Sequence, residues 1–497
     1  HMTATVGREK RPGVPWPGAY LATAKAREDL VAVGFAAGDL DGLGANDLVL
    51  AAKADSAEAV DAALEAGRGA AFAQGDDGPA AATDQPVRSI AEAVRRDADI
   101  DVAIVSVPGE YAALEAHHAL TAGLHVLLFS DGVSVEEEVE LKERAAGLGR
   151  LVMGPGAGTS VLAGVGLGFA NVLTASSATS VGVVAAAGTG AQEVSALLDR
   201  WGVRVTNVIG VGGRDLTEQV GGTMASLAAR ALDADAGTAA VLLVSKPPSP
   251  QVAADVLASC GKTPAVAVFL GLDDLDAAPG AKLARTLEEG VRAAAALVGV
   301  SAPIPWAGLQ DSVSAACARL APERTLVKGL FSGGTLCYEA QLVLEGSLGA
   351  VYSNEPLRHE HALPAPAGAH VLLDLGAEEY TRGVPHPMID PGGRITLLRK
   401  QKDDPQVAVV LLDVVLGHGS HPDPASELAP VCAEVMADGG PQVVSYVLGT
   451  ESDPQVYSRQ RKILEDVGCI VPETNARAAF AAAAIALRRP ELSEAQA

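Results

Sequence analysis

The chain has 497 residues, 48% of them apolar and only 3% aromatic, with 61 acidic against 37 basic side chains and a formal net charge of −24. That length allows several domains with sizeable cores, and so acidic a surface repels polyanions, which excludes nucleic acid and acidic membranes as partners. Five cysteines (Cys260, Cys317, Cys337, Cys432, Cys469) without a C-x-x-C spacing indicate neither a disulfide framework nor a thiolate metal site and fit a reducing cytoplasm, and no apolar run approaches the ~20 residues of a membrane span.

His1-Met2 reads as an expression-vector remnant, and no signal-peptide pattern follows it. Residues 18–74 are expected to form a small α/β unit, with strands at Ala19–Thr23 and Asp47–Lys53 and helices at Lys25–Val33 and Ser56–Gly67. Gly75–Pro86, polar and small, reads as a linker. Alternation then becomes regular: strand Val102–Val107, helix Glu110–Ala122, strand His125–Ser130, helix Val135–Gly147 with three glutamates in its first turn, strand Leu151–Met153. Such alternation predicts a nucleotide-type fold with a parallel sheet over 85–172. Its strand ends carry Val107-Pro108-Gly109, Ser130-Asp131-Gly132 and Gly154-Pro155-Gly156-Ala157-Gly158-Thr159. Ligands bind beyond such carboxyl ends, so Pro108, Gly109, Gly154 and Pro155 are candidate substrate contacts.

Two later stretches repeat a pattern. Gly188-Thr189-Gly190-Ala191-Gln192-Glu193 and Gly334-Thr335-Leu336-Cys337-Tyr338-Glu339 share G-T-x-x-x-E, each ending an apolar run and opening an amphipathic helix. Unpaired N–H groups and the positive end of the dipole gather at a helix start, so each turn can cradle an anion. Gly188, Thr189, Gly190, Ser332, Gly333, Gly334 and Thr335 are the candidate phosphate contacts, and the repetition predicts one anionic ligand held from two sides. Further apolar runs recur in the same order, Ala239–Val244 and Val266–Gly271 after the first turn, Val407–Leu412 and Val443–Gly449 after the second. They predict two related doubly wound α/β domains, 178–300 and 325–487, with Ser301–Glu323 as a proline-containing connection and a mobile tail after Arg489.

This order of parts resembles succinyl-CoA synthetase: residues 85–172 its CoA-binding domain, 178–300 its α ligase domain through the G-T-x-x-x-E turn and Ile209-Gly210-Val211-Gly212-Gly213-Arg214-Asp215, and 325–487 the carboxy-terminal domain of its β subunit. Such a fusion is similar to the FdrA family, whose wording stands at Leu330–Cys337, at Pro385-His386-Pro387-Met388-Ile389-Asp390-Pro391 and at Leu412–Gly417. Two departures bear on mechanism. The resemblance implies a phosphate-carrying histidine in a G-H-A-G-A loop after Val266–Leu270, but the chain reads Leu272-Asp273-Asp274-Leu275-Asp276, with no histidine between His125 and His359. No ATP-grasp half or Walker lysine motif is present either. Gly156-Ala157 also stands where the family pattern implies Asp-Cys.

The resemblance to FdrA implies a carbamoyl or acyl transferase, or a subunit of one, passing its group between phosphate (carbamoyl phosphate as substrate) and a small amide or amine, by positioning and charge stabilisation. The alternatives are an acyl-CoA synthetase that uses CoA and a separate nucleotide-binding subunit, and a non-catalytic anion-binding subunit. A homo-oligomer, with other subunits possible, is the expected assembly.

Among single residues, Arg214 is a candidate fork for carboxylate or phosphate, or else a salt-bridge partner of Asp215. His386 with Asp390 suits a general base or a local structural bond, and Gly212 and Gly213 are candidate substrate contacts. Lys246 either meets the ligand's charge or is merely exposed. Cys337 reads as core in preference to a reactive thiol, and His418, His421 and Asp423 lie too close in one loop to favour a metal site.

Overall fold

The computed structural model describes residues 16–22, 27, 30–31, 34–43, 47–54, 56–72, 87–272, 275 and 281–495. The expected linker Gly75–Pro86 and most of the expected helix Lys25–Val33 lie outside them. Residues up to Val87, together with Glu378–Pro385, make one compact unit, and the remainder makes a second. In the first, strand β1 (Trp16–Leu21) pairs antiparallel with β2 (Leu48–Lys53), and helix α1 (Ala57–Phe72) follows.

Among the described residues the second unit contains three sheets. After helix α2 (Ile90–Arg96), strands β3 (Val102–Val105), β4 (His125–Leu128) and β5 (Val152–Met153) form a parallel three-stranded sheet crossed by helices α3 (Gly109–Thr121) and α4 (Val135–Gly147). Helix α4 begins where its sequence predicts. Ser134 and Glu137 close a reciprocal capping box, and Glu136, Glu137 and Glu138 face the positive end of the helix dipole.

The hairpin β6 (Thr159–Leu162) and β7 (Val165–Gly168), from within the segment expected to be CoA-binding-like, pairs onward with the next sheet. That seven-stranded sheet continues through β8 (Ser180–Ala185), β9 (Arg204–Gly210), β10 (Thr238–Ser245), β11 (Ala265–Phe269) and β12 (Ala281–Leu283), in the order β12-β11-β10-β8-β9-β6-β7. Strands β8 to β12 are mutually parallel. Between them run helices α5 (Gly188–Arg200), α6 (Thr223–Ala234) and α7 (Pro250–Ala258), and α8 (Leu287–Leu297) follows.

Ser301–Glu323 is more than the connection expected: it contains helix α9 (Leu309–Arg319), with Leu309, Val313, Ala316 and Leu320 in the core. The third sheet takes β13 (Leu326–Phe331), β14 (Val351–Ser353), β15 (His370–Asp374), β16 (Val407–Val415) and β17 (Gln442–Leu448), all parallel, in the order β14-β15-β13-β16-β17. Its helices are α10 (Gly334–Leu348), α11 (Gly392–Lys400), α12 (Pro424–Met436), α13 (Tyr457–Asp466) and α14 (Asn475–Leu487). Every residue of β16 is buried, as a strand covered on both faces requires. The expected mobile tail is also partly fixed, because Ser493 is buried and Arg477 donates to the Ala495 carbonyl.

One core runs from the seven-stranded sheet into the five-stranded sheet through α5, α10 and the alanine-rich α14. Alanines along α14 let it lie close against α10 and β16. No described helix is long and apolar enough to cross a membrane.

Candidate active site

Strands β8 and β13 are interior in their sheets, and in each case the next strands of the chain fall on both sides of them. The loops leaving such strands open onto a crevice at the carboxyl edge. Those loops, Ala186-Ala187 and Ser332-Gly333, lead into α5 and α10. The two helix starts meet. The Thr335 N–H donates to Thr189 Oγ1 at 3.2 Å, and a β-carbon at Gly333 would lie 2.9 Å from Thr189 Cγ2. Any larger residue at Gly333 would force the helices apart.

They open into one cleft of about 320 Å³, whose lining includes Gly188, Thr189, Ser332, Gly334 and Thr335, with Gly156–Thr159, Gly210, Gly212 and Gly213, and with Lys246, Asp374, Gly376, His386 and Met388. The expected convergence of two glycine turns is therefore present in the structure. A larger cavity, about 780 Å³, lies at the amino end of β17. Its two arginines are committed to protein: Arg319 to the Met436 and Gly440 carbonyls, Arg461 to Glu473 and the Val471 carbonyl. It also lacks the glycine turns.

The two cradles are unequal. In α5 the N–H groups of Gly188, Thr189 and Gly190 have no partner among the described residues, the usual condition of a first turn. At α10 part of the donor set is already spent, since the buried Asp413 carboxylate accepts from Ser332 N–H (2.8 Å), Ser332 Oγ (2.9 Å) and Gly333 N–H (2.7 Å). Arg394 balances that charge at 2.7 Å. Ser332 and Gly333 thus serve to fix the turn through Asp413, a correction to their expected role as phosphate donors.

His386 faces the cleft. Burial depresses its imidazole to about 4, and Nδ1 accepts the Met388 N–H at 3.2 Å, which leaves the proton of the neutral ring on Nε2. A β-carbon at Gly376 would stand 2.7 Å from that nitrogen. The ring is therefore a neutral donor at pH 7, whereas a general base needs a free lone pair facing its substrate. Asp390 is not its acid partner. Its Oδ1 instead accepts the Gly392 N–H at 2.8 Å, at the start of α11.

Arg214 also stands elsewhere. Its Nε donates to Glu138 Oε2 at 2.8 Å and its Nη2 to the Val133 carbonyl at 2.8 Å. Asp215, its expected partner, instead pairs with Lys142 at 2.7 Å, and Lys142 also reaches Glu138 at 2.7 Å and the Val211 carbonyl at 2.9 Å. This buried cluster ties α4 to the loop that holds Gly212 and Gly213 at the cleft. Gly212 lies so near Gly154 that a β-carbon would stand 2.7 Å from the Gly154 carbonyl carbon. Pro108 and Gly109 are outside the cleft lining, and Gly109 is pressed against Gly132 in the neighbouring loop.

Gly156, where the family pattern implies Asp, has φ +64° and sits beside Asp131 Oδ1. Both conditions favour a residue without a side chain. The loop after β11 falls largely outside the described residues. Cys337 is fully buried, with its thiol pushed well upward by desolvation, an inert core residue. No cluster of metal-ligating side chains is present among the described residues, and His421 Nδ1 accepts the Asp423 N–H.

Lys246 and Asp374 complete the lining. Lys246 Nζ lies 5.7 Å from the centre of the Tyr338 ring, and a β-carbon at Gly334 would be 3.7 Å from Nζ and 2.5 Å from Asp374 Oδ2. Sequence reasoning placed Asp413 after the apolar run Val407–Leu412 but gave neither it nor Asp374 a role in the site. Each is a carboxylate at or near the carboxyl end of an apolar strand, a position whose strand placement was readable and whose neighbours were not.

A CoA-ligase family model matches residues 330–485. The chain is 38% identical over 400 residues to the Escherichia coli protein YahF, covering 78% of this chain and 77% of that one. It is 29% identical over 199 residues to the α subunit 2 of an ADP-forming succinate–CoA ligase from Archaeoglobus fulgidus, covering 39% of this chain and 66% of that one. Among solved structures, a dinucleotide-forming acetyl-coenzyme A synthetase 1 from Ca. Korarchaeum cryptofilum aligns over 79% of this chain and 84% of its own, at 15% identity and a TM-score of 0.32, too low to support any functional argument.

Proposed function

This chain belongs to the succinyl-CoA-synthetase-like family that includes YahF, and on that premise we propose that it is an acyl-CoA ligase-type enzyme whose cleft holds the phosphate of an acyl phosphate while the acyl group passes to or from the CoA thiol. One observation carries the reading: two glycine-rich helix starts, a lysine and the Gly156–Thr159 loop line a single small cleft. The unspent donors of α5, the Lys246 ammonium and the His386 Nε2–H suit the charge that develops on the phosphate oxygens as the acyl–oxygen bond breaks. One preorganised donor of this kind contributes roughly 3–4 kcal/mol. With no G-H-A-G-A histidine in the sequence, phosphate need not be relayed along the chain, and any coupling to ATP would fall to a separate nucleotide-binding subunit.

Carbamoyl transfer, the reading the FdrA resemblance favoured, draws no support from the relatives. Both are tested by incubating purified protein with acetyl phosphate and CoA, with ATP and CoA, and with carbamoyl phosphate and oxamate, while following phosphate and thioester. Thioester formation from acetyl phosphate that needs CoA is the expected result. Phosphate release from carbamoyl phosphate alone, with none that depends on CoA, would overturn it.

A further inference from the structure

The anion cradle at the start of α10 already has an anion beside it. The Asp374 side chain ends β15 and reaches the first helical residue, so close that Gly334 has no room for a β-carbon against Oδ2. Its Oδ1 accepts the Gly376 N–H at 2.9 Å, and its backbone is pinned by Asn354, which both accepts from the Asp374 N–H (2.9 Å) and donates to the Asp374 carbonyl (3.0 Å). The Gly376 N–H thus holds the carboxylate at the end of a backbone that Asn354 fixes. Asp374 lines the same cleft as the N–H groups of α5, Lys246 and His386.

An oxyanion drawn to those donors must settle next to a fixed carboxylate. Two like charges in contact within a half-buried cleft repel strongly, and the least costly relief is a proton on one of them. We propose that Asp374 makes this an anion-plus-proton site: an oxyanion of the phosphate or sulfate type binds together with one proton, carried by the Asp374 carboxyl as a hydrogen-bond donor to the bound oxygen. The inference deepens the cleft assigned above and rests on that assignment.

The charged and titratable neighbours of Asp374 come from each element packed on it. Lys246 approaches from the loop after β10, Asp413 from β16 with Arg394 from α11, Glu355 from the loop after β14, Cys337 from α10 and His386 from the loop opposite Gly376. Lys246 is the cation that favours the ionised form, while Glu355, Asp413 and above all burial oppose it, leaving the free carboxyl at about 6. A bound dianion adds negative charge and raises it further. At pH 7 the free protein then holds a mainly ionised Asp374 and the complex a protonated one. Affinity is highest below pH 6 and falls about tenfold per pH unit above it, until the carboxyl of the complex itself ionises.

Sulfate is the probe, because it remains a dianion across this range and cannot supply the proton. Titration calorimetry of the intact protein at pH 7, in two buffers of different ionisation enthalpy, should show uptake approaching one proton per sulfate. Asp374→Asn retains an oxygen to accept the Gly376 N–H. It should bind sulfate with no uptake and with an affinity that is flat from pH 6 to 8, and a circular dichroism spectrum like that of the parent protein verifies its fold. His386→Gln should keep the uptake. Sulfate binding without uptake by the parent protein, or uptake lost in His386→Gln and kept in Asp374→Asn, overturns the role of Asp374. No sulfate binding at any pH, in the parent protein or in Asp374→Asn, overturns the cleft assignment itself.

Discussion

Thr189 couples the two helix starts through one atom, the hydroxyl oxygen that accepts the Thr335 N–H. Thr189→Val keeps the volume and removes the acceptor, leaving a buried N–H unpaired at a cost of about 1–3 kcal/mol; denaturant unfolding should show the loss without a change in m. Lys246→Met tests the ligand side. A charge-assisted hydrogen bond contributes about 1.5–3 kcal/mol, so sulfate should bind some 10- to 150-fold more weakly by calorimetry, and unchanged affinity would remove Lys246 from the site. His386 sets a pH expectation. Its folded value, about 4, lies below the ordinary 6.5, so the unfolded chain takes its proton first. Its contribution to stability is present above pH 6.5 and is lost as pH falls towards 4. The imidazole carbon protons in an NMR titration should therefore stay in the neutral form from pH 8 to 5.

At the scale of elements, helices α5 and α10 each bury the glutamate of their G-T-x-x-x-E turn. Desolvation, with Glu339 nearby, raises Glu193 to about 8, and desolvation raises Glu339 to about 7. Tyr446 donates to Glu193, and Asn475 to Glu339. Because both acids hold protons that the unfolded chain has released, their contribution to stability is complete below about pH 4.5 and declines as pH rises towards 8. Glu193→Gln should melt near the parent temperature at pH 5 and above it at pH 8. The Lys142 cluster gives the opposite kind of test, since Lys142→Met strands Glu138 and Asp215 without their buried cation and should cost about 3–5 kcal/mol. The helices themselves were legible because their signals are local: the Ser134–Glu137 box, the apolar spacing after Gly188, the glycine turns. Helix α9 was not, because Pro303 and Pro305 just before it read as a connection while its stripe of Leu309, Val313, Ala316 and Leu320 is short. The partners of Arg214 and Asp215 were equally hidden, since Glu138 and Lys142 lie some seventy residues away along the chain.

Across the molecule, repeated apolar strands announced parallel α/β sheets, and the repeated turn announced that two of them face a common point. Which side chains complete that point depended on tertiary packing: Asp374 and Asp413 come from strand ends whose neighbours no local pattern encodes. A net charge of −24 means that self-repulsion opposes compaction at low ionic strength. The melting temperature should therefore rise between 10 and 200 mM sodium chloride in dilute buffer at pH 7, and a fall would show that local ion pairs outweigh the global field. The claim on which the functional account depends is that one oxyanion binds in the cleft between the starts of α5 and α10, held by the α5 N–H groups, Lys246 and His386 and facing Asp374. Anomalous diffraction from a crystal soaked in tungstate tests it most directly. One peak within hydrogen-bonding reach of the Gly188–Gly190 N–H groups and of the Gly334 side of the cleft is the expected result. A peak at one helix start outside the cleft, or none between the two starts, would contradict the account.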